Sequence, residues 1–305
     1  MRVTVVLAAL GILPVLASPV RAGQVRVDVA NIQFTPATVT INHGDHVVWV
    51  WQNGTHSATS GSSCTSDGIF NSGLVAAAAG VSFSWKSGAQ ASVPYFCIQH
   101  CDLGMTGMIA FGTGVSVADF RLTEIQYNVA GGKDLIEITN HGGAVGNLGD
   151  YRLSVQSSVA VTLPLASISV PGGSQVVLHC NASGTNTATD VFLPTVPDLP
   201  TAGSVALYVP NSQTPSLALT DQIIDFVQWG AAGGPNEATA NGAALWTTGQ
   251  FVPGVADGHS IELCDFNTRG ASAWAGISVP NFGSYGACAT PVTPATWGNV
   301  KVLYR

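Results

Sequence analysis

Short segments in which apolar and polar residues alternate, separated by turn-forming clusters, constrain the fold more than any other feature of this sequence. Between residues 24 and 112 the alternation is clear at 25–29 and 47–51, and turn-forming residues interrupt it at 42–45 and 53–54. A period of two is typical of strands that bury one face. Several short strands in so short a stretch predict a β-sandwich.

A second set of strand patterns follows a pause at 112–114. These patterns lie at 120–125, 135–138, 176–178, 205–209 and 223–227. Connections rich in Gly, Asn, Ser and Thr separate them. Charged residues make up only 9% of the chain, which contains 35 Gly and 16 Pro, so a coiled coil or helical bundle is excluded. We expect an all-β protein with domains at 23–114 and 115–288.

The charge balance limits the classes of partner. Ten Lys and Arg residues against 17 Asp and Glu residues give a formal net charge of −7, without any run of basic residues. A nucleic-acid-binding surface needs clustered cations to neutralise phosphates. We therefore expect no nucleic acid among the partners.

The first 22 residues have the features of an export signal. Arg2 precedes an apolar stretch at 3–17, and the small residues Val20 and Ala22 stand where a cleavage site requires them. The apolar stretch is shorter than the ~20 residues that span a bilayer. We expect a signal peptide at 1–22, no membrane span after its cleavage, and a periplasmic, cell-surface or extracellular protein.

Residues 289–305 form a different kind of segment. Spaced prolines at 291 and 294 suit an extended linker, and the aromatic and basic stretch at 297–305 follows it. This last stretch is either a docking or sorting peptide or a frayed terminus.

Soft metal ligands cluster within residues 95–108. Cys97, His100 and Met105 present a thiolate, an imidazole and a thioether. Thiolate and thioether hold Cu(I), imidazole suits both oxidation states of copper, and two imidazoles, one thiolate and a weak axial thioether therefore accommodate either state. Cys97 can end a strand while the loop turns His100 and Met105 back to the same centre. The second imidazole must come from elsewhere, and the candidate is His56, just after an apolar strand.

The residues around these ligands resemble the cupredoxin family of the plastocyanin and pseudoazurin type. The matching motifs occur in order over residues 25–112: Phe34-Thr35-Pro36, Gly44-Asp45-His46-Val47-Val48-Trp49, Asn53 with His56, 67–74, and Cys97-x2-His100-x4-Met105-x-Gly107. The resemblance implies a Greek-key β-sandwich with one blue copper ion. It implies His56, Cys97 and His100 as strong ligands and Met105 as the long axial ligand.

The same resemblance implies how electrons would enter and leave. The edge of His100 is the expected electron port, and Leu103 and Gly104 belong to the apolar rim around it. A flat apolar rim suits brief docking with a redox partner protein.

Three alternatives to this mononuclear site need to be weighed: a different axial ligand, a dinuclear copper centre and a multicopper oxidase. Met108 competes with Met105 for the axial position, although the resembling proteins normally have a non-ligand strand residue there. Cys97-x3-Cys101-x3-Met105-x2-Met108 has the spacing of the dinuclear copper centre of oxidase second subunits, but a methionine stands where that centre needs a histidine. A multicopper oxidase needs paired His-x-His motifs, and the sequence contains none. We therefore prefer the mononuclear site and expect no enzymatic activity.

Six cysteines of an exported chain would by default form three disulfides. They are Cys64, Cys97, Cys101, Cys180, Cys264 and Cys288. Cys101 resembles a cysteine that plant phytocyanins and some bacterial relatives hold in a disulfide, which implies pairing with Cys64. If Cys97 holds copper, two of the other three can pair and one is left over. Of these pairings we favour Cys264 with Cys288.

Residues 119–275 resemble a lamin-tail domain, which is an immunoglobulin-like sandwich. The motifs that carry this resemblance lie at 122–128, 134–140, 148–153, 221–230 and 260–265. The resemblance implies attachment or partner contact, such as binding to a cell-surface or extracellular component, rather than chemistry.

Several polar residues of the chain invite a further site. Glu124, Glu137 and Asp225 lie within apolar strands and suggest a catalytic or calcium site, since carboxylates bind hard cations. We expect instead that they face solvent or pair with nearby backbone. The remaining histidines are expected to be solvated or core residues: His43, His46, His141, His179 and His259.

The sequence thus predicts an exported blue copper protein that carries single electrons and is localised by its second domain. One rival is a copper-holding or structural surface protein without electron transfer. Another is a redox subunit that works inside a larger enzyme complex, because the acidic net charge and the apolar port suit brief docking with a basic partner.

Overall fold

The computed structural model describes residues 23–127, 129, 134–157, 159–209, 211–212, 216–286 and 288. The predicted signal peptide at 1–22 and the predicted linker and tail at 289–305 lie outside these residues. Among the described residues, no helix is long and apolar enough to cross a membrane.

The N-terminal region, residues 24–111, consists of short strands and one 3-10 turn. The strands are β1 (Gln24–Ala30), β2 (Gln33–Thr35), β3 (Thr38–Ile41), β4 (His46–Trp51), β5 (Thr55–His56), β6 (Thr59–Ser62), β7 (Thr65–Asn71), β8 (Val75–Ala76), β9 (Ser82–Lys86), β10 (Ser92–Phe96) and β11 (Thr106–Phe111), and the 3-10 turn is Cys101–Leu103. One sheet has the order β2-β1-β4-β9, a second has the order β3-β11-β10-β6-β7, and β5 pairs with β8. One buried cluster collects apolar side chains from both larger sheets, so the sandwich predicted here is confirmed.

Strand β4 is apolar along almost its whole length because both of its faces are covered. Val47, Trp49 and Trp51 point into the N-terminal core. Val48, on the opposite face, is part of the buried cluster of the rest of the chain, and Val50 packs against that cluster. Because side chains alternate along a strand, a strand covered on both faces is apolar throughout.

The C-terminal region, residues 120–288, is also built mainly of strands. They are β12 (Phe120–Gln126), β13 (Leu135–Asn140), β14 (Gly146–Asn147), β15 (Arg152–Ser157), β16 (Val159–Pro164), β17 (Ser169–Val170), β18 (Gln175–Cys180), β19 (Asp190–Leu193), β20 (Gly203–Tyr208), β21 (Ile223–Trp229), β22 (Ser260–Leu263) and β23 (Trp274–Ile277); helix α1 is Glu237–Gly242, and 3-10 turns lie at Leu148–Asp150 and Ala271–Ala273. The larger sheets have the orders β19-β18-β13-β12-β22-β23 and β16-β15-β20-β21, and β14 pairs with β17. Both larger sheets contribute to one core. The chain is thus nearly all-β, as predicted.

The two regions touch through specific polar contacts as well as through β4. The Nε2 atom of His46, which is buried, lies 2.5 Å from the backbone oxygen of Asp221. The Ser82 amide donates to Ser212 Oγ at 2.8 Å, and the Arg26 guanidinium pairs with Asp150 at 2.6 Å. These contacts join residues that lie far apart in the sequence, and Arg26, Ser82 and Asp150 border a cleft between the regions.

The expectation that Glu124, Glu137 and Asp225 face solvent is wrong. All three carboxylates are buried, and Asp225 accepts from the Leu122 amide and pairs with Arg269. Burial is possible because each carboxylate has hydrogen-bond donors around it. The other half of the expectation, pairing with backbone, describes all three, since backbone amides donate to Glu124, Glu137 and Asp225.

Glu124 is the middle member of a row of three glutamates. It lies directly opposite Glu137 on β13 and Glu262 on β22. A segment at 281–286 covers the row, since its amides donate to each carboxylate. Burial, and to a smaller extent the neighbouring Glu137 and Glu262, raise the pKa of Glu124 to about 7, against the hydrogen bond from Ser260.

Glu124→Gln is expected to stabilise the protein in alkaline but not in acidic solution. Because the pKa is raised in the folded state, the folded protein holds this proton more tightly than the unfolded chain, so stability is full below pH ~4.5 and falls as pH rises through about 7. A neutral amide removes that loss, which is on the order of 2 kcal/mol. Denaturant unfolding of the unchanged protein and of Glu124→Gln, at pH 5 and at pH 8, measures the difference in free energy of unfolding.

Asp265→Asn is the control of opposite sign. Hydrogen bonds from Thr268 and Asn267 lower the pKa of Asp265, so its contribution is present above the usual pKa and lost in acid. This variant should gain nothing at pH 8. A Glu124→Gln gain of equal size at both pH values would contradict the expectation.

Candidate metal centre

His56 is held by a short strand pair beside the apolar strand β4. Strand β5 pairs with β8, in register His56 with Val75, and the indole Nε1 of Trp51 donates to the His56 backbone oxygen at 3.1 Å. The imidazole itself is buried, with only 3% of the residue exposed. The backbone of His56 is therefore fixed from two sides.

Residues 97–105 form a closed loop between β10 and β11. The Cys97 amide donates to the Met105 oxygen, the His100 amide donates to the Cys97 oxygen, and the Met105 amide donates to the His100 oxygen. The 3-10 turn after His100 ends at Gly104, whose φ of +84° is a left-handed conformation that glycine adopts without strain. These bonds direct the side chains of the loop to one centre.

Three ligand atoms converge between these two segments. His56 Nδ1 and His100 Nδ1 lie 3.0 Å apart, Cys97 Sγ lies 3.5 Å from His100 Nδ1, and Cys97 Sγ lies 4.0 Å from His56 Nδ1. The point equidistant from all three atoms lies about 2 Å from each, which is the length of a metal–nitrogen bond. Two imidazoles and one thiolate in this geometry fit a copper ion.

Met105 and Met108 occupy different environments. Met105 is buried and belongs to the same core cluster as Cys97. Met108 lies within strand β11, in register with Pro94 and Thr38, and is only partly buried. The loop backbone joins Met105, and not Met108, to both Cys97 and His100.

Ser57 was not singled out from the sequence, yet it organises the cysteine. Its amide donates to Cys97 Sγ at 3.3 Å, and its hydroxyl accepts from the Ile98 amide at 2.8 Å. Thr59 Oγ1 donates to the same hydroxyl. These contacts fix the position of the cysteine sulfur, and the only sequence signal for this role was that Ser57 follows His56.

The structure contains a disulfide between Cys64 and Cys101 and another between Cys264 and Cys288. These are the pairings stated above, and Cys97 and Cys180 remain free and buried. The first bridge ties the β6–β7 turn to the 3-10 turn after His100. A disulfide sulfur is not available as a thiolate, so the dinuclear alternative that needs Cys101 is not supported.

The two imidazoles differ in exposure. Burial lowers the pKa of His56, and the neighbouring His100 lowers it further, so His56 stays neutral and available as a ligand. His100 is half-buried and reaches the surface. Ile98 and Leu103 of the same loop are exposed, Leu103 to 69%. The centre thus has one buried imidazole and one imidazole at an apolar surface.

The other histidines form no comparable group. Within the described part of the chain, His56, Cys97 and His100 are the one set of three or more His, Cys, Asp or Glu ligands whose atoms converge. His43 is exposed, His46 is buried, and His141, His179 and His259 are intermediate in burial. This agrees with their interpretation as solvated or core residues.

Comparison with known families identifies the N-terminal region. Residues 21–112 match the family described as copper binding proteins, plastocyanin/azurin family. This segment is a cupredoxin domain. Its cofactor is copper, and the converging imidazoles and thiolate have the donor chemistry that this ion requires.

Solved cupredoxins are similar to this domain at low sequence identity. A plastocyanin from Dryopteris crassirhizoma is 16% identical, with 29% of this chain and 100% of that chain covered and a TM-score of 0.24. A pseudoazurin from Sinorhizobium is 22% identical, with 29% and 73% covered and a TM-score of 0.24. A purple cupredoxin from Nitrosopumilus maritimus is 17% identical, with 30% and 99% covered and a TM-score of 0.26. No curated protein matches the chain.

Gly54→Ala is expected to displace His56. Gly54 has a φ of +72°, and an added Cβ would lie 2.6 Å from His56 Nε2. The imidazole must move, so copper affinity should fall roughly tenfold or more, and backbone strain should cost about 1 kcal/mol of stability. A competition titration with a copper chelator measures the affinity.

Gly114→Ala is the matched control. Gly114 has a φ of +69°, but nothing lies within 4 Å of the added Cβ. It should lose similar stability and keep the copper affinity of the unchanged protein. Equal affinity for both variants would show that Gly54 does not position His56.

Proposed function

We propose that this protein carries single electrons on one copper ion held by His56, Cys97, His100 and Met105. The observation that supports this most strongly is the convergence of His56 Nδ1, His100 Nδ1 and Cys97 Sγ around one point. When bound, copper supplies a one-electron couple, and a site of soft and intermediate donors accommodates both of its oxidation states.

The residues around the ligands resist rearrangement, which a fast electron carrier requires. The loop is closed by backbone hydrogen bonds, Ser57 fixes the cysteine sulfur, and Trp51 fixes the His56 backbone. The bridge between Cys64 and Cys101 holds the outer side of the loop. Because each ligand is restrained from outside the site, a change of copper charge causes little movement of the protein.

The surface at His100 supports brief docking with a redox partner protein. Ile98 and Leu103 expose apolar side chains beside the half-buried imidazole, and Asp102 places an exposed carboxylate next to Leu103. An apolar contact allows the partner to approach closely, which shortens the distance that the electron crosses, and the carboxylate favours a basic partner. Association should therefore slow as salt is added.

The experiment that tests electron transfer is a copper titration of the purified protein followed by voltammetry. A single bound copper with an intense visible band and a reversible one-electron wave would support the carrier. Stoichiometric copper binding without a reversible wave would overturn it in favour of the copper-holding protein. Absence of copper binding would overturn both.

The proposal extends to location and to the C-terminal region. We propose that residues 1–22 direct export and that the C-terminal region is an immunoglobulin-like, lamin-tail-like sandwich that localises the carrier at the cell surface or outside the cell. Two larger sheets over one core support the sandwich. Sequencing the amino terminus of the protein recovered outside the cytoplasm tests export, since an intact Met1 there would contradict cleavage after Ala22.

A further inference from the structure

A cleft of 490 Å³ lies between the N-terminal and C-terminal regions. Its walls come from strand β4 and the segment after β8 on one side, and from the start of β15 and the segment after β16 on the other. Sites for small molecules are typically of roughly 300–1,000 Å³ and occur preferentially between domains. The metal centre accounts for none of the charged residues in this cleft.

Arg152 is the unusual residue of the cleft. Its Nε atom is buried and has no hydrogen-bond partner, and its guanidinium pairs with no carboxylate in the described part of the chain. The other described arginines, Arg26, Arg121 and Arg269, all pair with aspartates. A guanidinium that lacks an acceptor while lining a cavity is suited to an anion from outside, since its planar fork matches a carboxylate.

The charges around the cleft select an anion of low charge. Arg26 and Arg152 bring two positive charges, and Arg26 already pairs with both Asp28 and Asp150. Arg152 is therefore the one cation of the cleft wall that pairs with no carboxylate among the described residues. A monoanion suits the single unpaired guanidinium, whereas a dianion such as phosphate would bring a second negative charge near Asp28 and Asp150.

The remaining walls of the cleft favour an apolar ligand body. Val50, Ala77, Ala78 and Ala79 are only partly buried or exposed, and they contribute apolar surface. We propose that this cleft binds a small organic monocarboxylate, with its carboxylate on the Arg152 guanidinium and its apolar body against the walls. This inference concerns a second site and goes beyond the proposed electron transfer.

The position of the cleft connects it to the metal centre. Strand β4 presents Val50 to the cleft, and the next residue, Trp51, points into the N-terminal core and donates from Nε1 to the His56 backbone oxygen. The strand that forms one wall of the cleft therefore also supports the backbone of His56.

Calorimetric titration of the copper-free full-length protein with benzoate tests the proposal. Copper-free protein keeps the result independent of the proposed function. We expect saturable binding of benzoate, no binding of the neutral benzamide, and at least about tenfold weaker binding to Arg152→Gln. Arg152→Lys should bind with intermediate affinity, because it keeps the charge and loses the fork.

Lys86→Gln is the matched control for charge. Lys86 lies on β9 and is not part of the cleft wall, so its loss should leave benzoate binding unchanged. Ala79→Trp keeps Arg152 and fills the cleft, so it should block binding even if Arg152→Gln fails to fold. No saturable benzoate binding, equal binding to Ala79→Trp, or tighter binding of inorganic phosphate than of benzoate would each overturn the proposal.

Discussion

Replacing Cys97 by serine is expected to abolish the intense visible absorption of the copper-loaded protein. The absorption arises from charge transfer between a thiolate and copper, and a serine hydroxyl is a hard donor that stays protonated. Cys97 Sγ is one of three converging ligand atoms, so its loss should weaken copper binding by at least about 100-fold. The visible spectrum and a chelator competition measure the two effects.

Cys180→Ser is the matched control, because the chain offers a second free and buried cysteine. Burial raises the pKa of the Cys180 thiol to about 12, so it stays protonated at neutral pH. Cys180 belongs to the core of the C-terminal region, away from the converging imidazoles. The absorption should persist in this variant. A persistent band in Cys97→Ser, or its loss in Cys180→Ser, would contradict the assigned ligand.

Removing the bridge between Cys64 and Cys101, by replacing both residues with alanine, is expected to lower the free energy of unfolding by about 3 kcal/mol. The bridge closes a long segment, with a sequence separation of 37, and so restricts the unfolded chain. It also restrains the turn that follows His100. The copper site should therefore become less rigid, with slower electron exchange and a broader visible band.

Removing the bridge between Cys264 and Cys288 separates these two effects. Its sequence separation is 24, so the expected loss of stability is similar. This bridge lies in the C-terminal region and touches no copper ligand. The electron exchange rate should stay unchanged in this variant. Denaturant unfolding of both variants measures the loss of stability, and the rate of electron exchange measures the rigidity of the copper site. Equal exchange rates in the two variants would show that the first bridge does not stiffen the site.

Local sequence was enough to predict the strands and the ligand loop. Alternation over 25–29 and 47–51 reports which side chains a strand buries, because neighbouring side chains point to opposite faces. The spacing of Cys97, His100 and Met105 lies within one loop, and short-range hydrogen bonds close that loop. These features depend on residues close together in the chain, so the sequence carries them directly.

The buried carboxylates could not be predicted in the same way. Glu124 looks like the outward residue of an alternating strand, and only the covering segment at 281–286 makes it a buried residue. Arg152 is similarly ordinary in sequence. Only the structure shows that it lines a cleft between the two regions and that its Nε atom has no hydrogen-bond partner among the described residues. Burial of a polar group is decided by neighbours distant in the chain.

By itself, the sequence determined an all-β chain, the donor types for copper and the loop that presents most of them. Tertiary structure alone decided that His56 Nδ1 lies 3.0 Å from His100 Nδ1, that Ser57 holds the cysteine sulfur, and that the Arg152 Nε has no hydrogen-bond partner among the described residues. The physical reason is one of range: strand patterns and loop closure depend on adjacent residues, whereas the distances between ligands and the solvation of charges depend on how separate strands pack.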